Sequence, residues 1–195
     1  AELLENGLVK TEDTRHFIES IHKEASRLVL LVEDVIRLSH LDEGVEMPRE
    51  NVDLLDIAQE VAESLQLAAQ ERNVTICVTG QHGTFPGVRG LVWEILQNLC
   101  SNAVKYNVPG GRVDVSVTQQ DGRTVLRVAD TGIGIPADQQ SRVFERFYRV
   151  DKSHSRASGG TGLGLSIVKH AAQYHNAKLT LESTSGKGTI VTCTF

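Results

Sequence analysis

The sequence predicts an α+β fold: a two-layer sandwich with helices on one face of a mixed sheet, preceded by the remnant of a helical hairpin. Three patterns carry that expectation. Apolar residues alternate spacings of three and four through the first 45 positions. Short segments with strand-like alternation recur later, paired by Gly-rich turns. Amphipathic helical stretches separate those segments.

Residues 1–45 read as one helical unit with a single break. Ala1 to Val9 has the character of a helix tail, and Thr11-Glu12-Asp13-Thr14 offers capping side chains for the helix that follows. Ile18, Ile21, Ala25, Leu28, Val32 and Val35 form the seam of a bundle or coiled coil. Phe17, Val29, Leu31, Ile36 and Leu38 widen the stripe, so the helix needs at least two neighbours. That cover is expected from chain missing here or from another subunit. Gly44 to Arg49, with Met47-Pro48, breaks the helix and separates a first unit (1–45) from a second (46–195).

The second unit opens with a short strand at Asn51 to Asp53 and an amphipathic helix from Leu54 to Arg72. Val74 to Thr79 reads as a strand and Gly90 to Tyr106 as a helix. After Pro109-Gly110-Gly111 come strands at Arg112–Thr118 and Thr124–Ala129, joined by Gln120-Asp121-Gly122. Asp151 to Gly160, rich in Ser, Gly and Arg, leads to a helix from Leu163 to His175. Strands at Lys178–Ser183 and Gly188–Thr194 close the chain through a glycine hairpin.

Bulk composition narrows the function. The 195 residues are 40% hydrophobic and 23% charged, as in an ordinary globular protein. A net charge of −5 without long basic runs, and only 5% aromatic residues, argue against a nucleic-acid surface. Cys77, Cys100 and Cys193 form no CxxC pair, so the three are expected as small core residues in a reducing, cytoplasmic setting. No signal peptide or spanning segment is evident, and any membrane attachment is expected upstream.

Four segments carry chemistry. Asn98 and Asn102 stand four apart on one helix face. Their neutral amide oxygens suit a magnesium ion that keeps waters and bridges phosphates, and Lys105 places a cation one turn on. Asp130 ends an alternating strand, where its carboxylate can accept a hydrogen bond from the amine of an adenine. Gly132 and Gly134 behind it permit close backbone approach. Phe144, Phe147 and Tyr148 form an apolar hook, with the phenylalanines expected on the core and Arg149 directed at a terminal phosphate. Gly159, Gly160, Gly162 and Gly164 precede a helix, so free N–H groups and the positive helix end converge on a phosphate. The run is neither a P-loop nor GxGxxG, since Leu165 holds the last glycine position. Thr189, in the closing hairpin, is expected near the base.

Together these segments resemble the N, G1, F and G2 boxes of sensor histidine kinases, whose catalytic domain has the Bergerat fold shared with gyrase-type ATPases and ninety-kilodalton heat-shock chaperones. The resemblance spans nearly all of residues 49–195. It implies that ATP and Mg2+ are the cofactors, that Asn102 holds magnesium with Asn98 in support, and that Lys105 and Tyr106 line the phosphate and ribose side. It further implies that Asp130 reads adenine, that Arg149 contacts the terminal phosphate, and that Gly160, Thr161, Gly162, Leu163, Gly164 and Leu165 form the base of a lid. Residues 1–45 resemble the end of helix one and all of helix two of the dimerisation and phosphotransfer domain. A homodimer in the intact protein and a response-regulator receiver domain are the partners so implied, with no nucleic acid. The family's acceptor histidine lies in a Ser-His-Glu-Leu-Arg-Thr-Pro-like segment that does not occur here. His16, His22 and His40 lack its neighbours and are expected on the helix surface. The chain therefore reads as a fragment that binds ATP without phosphorylating itself. Three competing readings share the superfamily or the ligand: an ATP-hydrolysing conformational machine, an anti-sigma-factor serine kinase, and an ATP-gated interaction module.

Overall fold

The computed structural model describes residues 14–42, 46–150 and 161–195. The expected helix tail at Ala1–Val9, most of the Thr11–Thr14 cap, the break at Gly44 and the segment ending in Gly160 lie outside them.

A single long helix, α1 (Thr14–Asp42), comes first. Then follow β1 (Glu50–Asp53), α2 (Leu54–Ser64), α3 (Gln66–Glu71), β2 (Thr75–Gly80), β3 (Thr84–Gly87) and α4 (Arg89–Lys105). The chain ends with β4 (Arg112–Gln120), β5 (Arg123–Asp130), α5 (Gly164–Tyr174), β6 (Lys178–Thr184) and β7 (Gly188–Thr194). Strands β2-β4-β5-β7-β6 form one mixed sheet, with β2 and β4 parallel and the other neighbours antiparallel. Helices α2, α4 and α5 cover one of its faces. The α+β sandwich expected from the pattern is therefore the fold found.

Alternation explains the layers. Val113, Val115 and Val117 of β4 are fully buried, while Arg112, Asp114 and Ser116 face away. They meet Ile57 of α2 and Ile95 and Leu96 of α4, each 0% exposed. Burying one such side chain contributes about 1.5–3 kcal/mol. Asp53 caps α2 by accepting from the Leu55 N–H at 2.9 Å.

Four local expectations need correction. The helix expected over Leu54–Arg72 is two helices, broken at Leu65. Ser64 Oγ donates to the Val61 carbonyl at 2.8 Å, a back-bond that competes with the helical ladder. Strand β3 was not anticipated, because Pro86 lacks an amide donor. It survives in a two-stranded ribbon where Asn51 of β1 lies opposite Pro86. Cys77 is exposed, unlike buried Cys100 and Cys193. It sits on edge strand β2, where Ile76 and Val78 take the helix side and Cys77 the other. Finally, the hook at Phe144, Phe147 and Tyr148 belongs to a run of turns at residues 137–147, and its phenylalanines are not both on the core. Val143 is its buried anchor, whereas Phe147 is 57% exposed with φ of +62°.

Helix α1 docks on the second unit through Leu38, which forms a small cluster with Leu163 and Ile167. Around it, Arg37 pairs with Glu94 at 3.0 Å, and Asp42 meets Arg146 at 2.5 Å and His170 at 3.2 Å. His22 and His40 are exposed on α1, as expected. No helix among the described residues is long and apolar enough to cross a membrane.

His175, just past α5, ties that helix to the start of α4. Its Nδ1 lies 2.8 Å from the Ala171 carbonyl, which can only accept, so Nε2 is the unprotonated nitrogen that accepts from the Val88 N–H at 2.9 Å. Burial pushes its pKa below the ordinary value, against the Ala171 bond that raises it. The folded state thus holds fewer protons than the unfolded one as pH falls below the usual histidine range. Stability is expected to be level above about pH 6.5 and to fall below it, by at most about 1.4 kcal/mol per pH unit. Denaturant unfolding from pH 5 to 8, repeated on His175→Gln, checks this; an equal acid slope in the variant refutes it.

Candidate nucleotide-binding site

The side expected to meet the base is built by the end of β5. Asp130 Oδ1 accepts from the Gly132 N–H at 2.8 Å and the Thr189 N–H at 3.3 Å. Burial pushes this carboxyl above its usual range, and the two amides pull it back in part. One oxygen is thus held by backbone, leaving the other as an acceptor.

Close packing explains the glycines. A Cβ on Gly132 would lie 2.3 Å from the Tyr106 carbonyl, the same carbonyl that accepts from the Ile133 N–H at 3.0 Å. The turn after Asp130 therefore clasps the end of α4. Gly134, at φ +65°, and Gly188, at φ +107°, press on Thr184 and on the Asp130 carbonyl respectively. A Cβ at Gly188 would stand 1.9 Å from that carbonyl. Gly188→Ala is expected to cost about 3 kcal/mol, combining backbone strain with a displaced strand end. A loss below about 1 kcal/mol in chemical denaturation would refute this packing.

Three polar residues that the motifs did not reveal hold this side together. Gln140 Nε2 donates to the Ile135 and Ser183 carbonyls, both at 2.9 Å. Asn107 Oδ1 accepts from Thr131 Oγ1 at 3.2 Å, and its Nδ2 donates to the Arg112 carbonyl at 3.1 Å. Ser183 Oγ accepts from the Ile135 N–H at 2.8 Å and lies 2.9 Å from Thr189 Oγ1. No local sequence signal marks them, because each acts on chain segments folded in from elsewhere.

The side expected to meet the phosphates is built by α4 and α5. Helix α5 starts at Gly164 with no side-chain cap, so its first N–H groups keep their donor capacity and its positive end is open. A Cβ on Gly164 would lie 2.5 Å from Asn98 Oδ1, so the Asn98 carbonyl abuts this helix start. The other half of that amide is fixed, with Asn98 Nδ2 donating to the Glu94 carbonyl at 2.9 Å. Gly162, at φ +78°, packs on the Phe147 backbone, joining the glycine run to the aromatic hook.

Lys105 sits half-buried at the end of α4. Desolvation lowers its pKa, and the charges of Arg149 and Arg72 lower it further. The two cations expected at the phosphates are thus near enough for each charge to act on the other. Lys105 Nζ also lies 5.3 Å from the Tyr106 ring centre.

The structure accordingly brings Asn98 to Gly164, Lys105 to Arg149, Tyr106 to Gly132, and Asp130 to Thr189. Asn102 is half-buried on α4, one turn beyond Asn98. Thr161 Oγ1 donates to Asp34 of α1 at 2.9 Å. Leu163 is wholly buried under Leu38, and Leu165 packs against the main core, so both anchor the glycine run from behind. Gly160 is outside the described residues.

Comparison with known proteins agrees with this fold. Residues 87–195 match the family of histidine kinase-, DNA gyrase B-, and HSP90-like ATPases. The sensor-like histidine kinase SenX3 of Mycolicibacterium smegmatis is 39% identical over 93% of this chain and 48% of its own length. The sensor histidine kinase YkoH of Bacillus subtilis is 34% identical over 97% of this chain and 41% of its own. The chain thus spans less than half the length of these relatives. The crystal structure of full-length ShkA in complex with AMPPNP superposes with a TM-score of 0.81 at 29% identity, over 98% of this chain and 40% of that one. The chain belongs to the family of histidine kinase-, DNA gyrase B- and HSP90-like ATPases, and carries the ATP-binding catalytic domain of its sensor histidine kinase branch.

Proposed function

We propose that this chain is the kinase portion of a two-component sensor, moving the γ-phosphoryl of ATP to a histidine for relay to an aspartate on a response regulator. In that step an imidazole nitrogen attacks phosphorus, the bond to the β–γ bridging oxygen breaks, and ADP leaves. Asp130 orients adenine. Lys105, Arg149 and the open end of α5 neutralise the phosphates, which is most of what phosphoryl transfer asks of a protein.

Magnesium fits the donor set. Asn102 supplies a neutral oxygen on the face of α4 that also carries Asn98, whose own amide oxygen abuts the start of α5 while its Nδ2 bonds the Glu94 carbonyl. When bound, the ion would offset the charge of the phosphates.

The observation that carries the kinase reading is the amide at position 98. A hydrolase needs a base there to activate water, and an amide cannot take the proton. The purified chain, given γ-labelled ATP and a separate helical domain bearing an acceptor histidine, is expected to yield acid-labile phosphohistidine. Rapid release of free phosphate instead would favour the hydrolase.

A second copy of the chain is the natural partner for α1. Ile18, Leu28, Val32 and Val35 are 55%, 56%, 54% and 42% exposed along the predicted seam. A cytoplasmic setting and membrane attachment through upstream sequence complete the proposal.

A further inference from the structure

Ser183 lies at a junction whose chemistry fixes more than shape. Three groups surround its hydroxyl: the Ile135 N–H at 2.8 Å, the Gly188 carbonyl at 2.9 Å and Thr189 Oγ1 at 2.9 Å. The amide can only donate and the carbonyl can only accept. Ser183 has one proton, which the Gly188 carbonyl takes. All three bonds then form together in one arrangement alone, with Thr189 donating its proton to Ser183.

That consequence reaches the base side. With its proton committed, the Thr189 hydroxyl has only lone pairs left to offer. The Thr189 N–H meanwhile bonds Asp130 Oδ1 at 3.3 Å, so the residue that carries this hydroxyl is tied through its backbone to the carboxylate that reads the base. Both groups accept and neither donates. We infer that Ser183 is a specificity-determining positioning residue: it holds the Thr189 hydroxyl as an acceptor, so that the site selects a base carrying a donor at position six, adenine over hypoxanthine or guanine.

This rests on the nucleotide reading above, and it deepens that reading by naming what sets base choice. Free of Ser183, the Thr189 hydroxyl could rotate and donate to a carbonyl at position six. Sites that commit a polar group reject the mismatched ligand because it leaves that group unpaired.

The test is calorimetric titration of the 195-residue chain with the β,γ-imido analogues of ATP and ITP, which differ in the group at position six. Wild type is expected to prefer the adenine analogue. Ser183→Ala should shrink that preference about tenfold, while Ser183→Thr, which keeps the hydroxyl, should retain it. Equal weakening of both analogues in Ser183→Ala, leaving the ratio unchanged, would mean a purely structural role and overturn the inference. Should Ser183→Ala fail to fold, Thr189→Val decides: a reduced ratio supports the inference, and an unchanged ratio refutes it. Wild type binding neither analogue would instead sink the nucleotide reading itself, a distinguishable result.

Discussion

Asp130→Asn is expected to weaken binding of an ATP analogue by about 10- to 150-fold, the worth of roughly 1.5–3 kcal/mol for one charge-assisted hydrogen bond. The fold should survive. An asparagine oxygen can still accept from the Gly132 and Thr189 amides that Asp130 Oδ1 serves, so the turn after β5 keeps its shape. What changes is the second position, where an acceptor becomes an NH2 donor facing the donor of adenine. Titration of both proteins, with thermal unfolding as the control for folding, checks this. Affinity within threefold of wild type in a well-folded variant would remove Asp130 from base recognition.

Asn102→Ala should abolish the magnesium-dependent part of the same affinity, a loss of about 100-fold at saturating metal; even outer-shell changes at metal sites cost 10–100-fold. Helix α4 should tolerate the change. Its buried contacts come from Ile95, Leu96, Leu99, Cys100, Ala103 and Val104, and alanine is the best helix former. The measurement is a titration of the ATP analogue with and without magnesium on both proteins. Wild type should show a large ratio of affinities and the variant a ratio near one. An unchanged ratio would mean that the metal is held elsewhere.

Most of the fold was legible because its strands and helices each carry a local period. Val113, Val115 and Val117 announce a half-buried strand, and the Gly90–Tyr106 stretch a helix, within a few residues of the ends observed. The candidate site was suggested for a different reason. Asn98, Asn102, Asp130 and the glycines of 162 and 164 are residue types whose chemistry is tied to their spacing. Where the reading failed, a neighbour overrode the local pattern. Ser64 bent a helix through its own hydroxyl, and Pro86 hid a strand that pairing with β1 nevertheless formed. Cys77 was assigned to the core on residue type, but its place on the edge strand turned it outward.

By itself, then, the sequence determined most of the order of elements and the sandwich class, and it pointed to the segments proposed to meet a phosphate or a base. Tertiary structure alone decided how those segments are held. Gln140 bonds a carbonyl 43 residues away, Thr189 an aspartate 59 residues away, and Thr161 an aspartate on α1 127 residues away. Periodicity reports only which face of a segment is apolar. A single polar side chain gains its role when folding brings a distant partner within about 3 Å, and no local pattern records that distance.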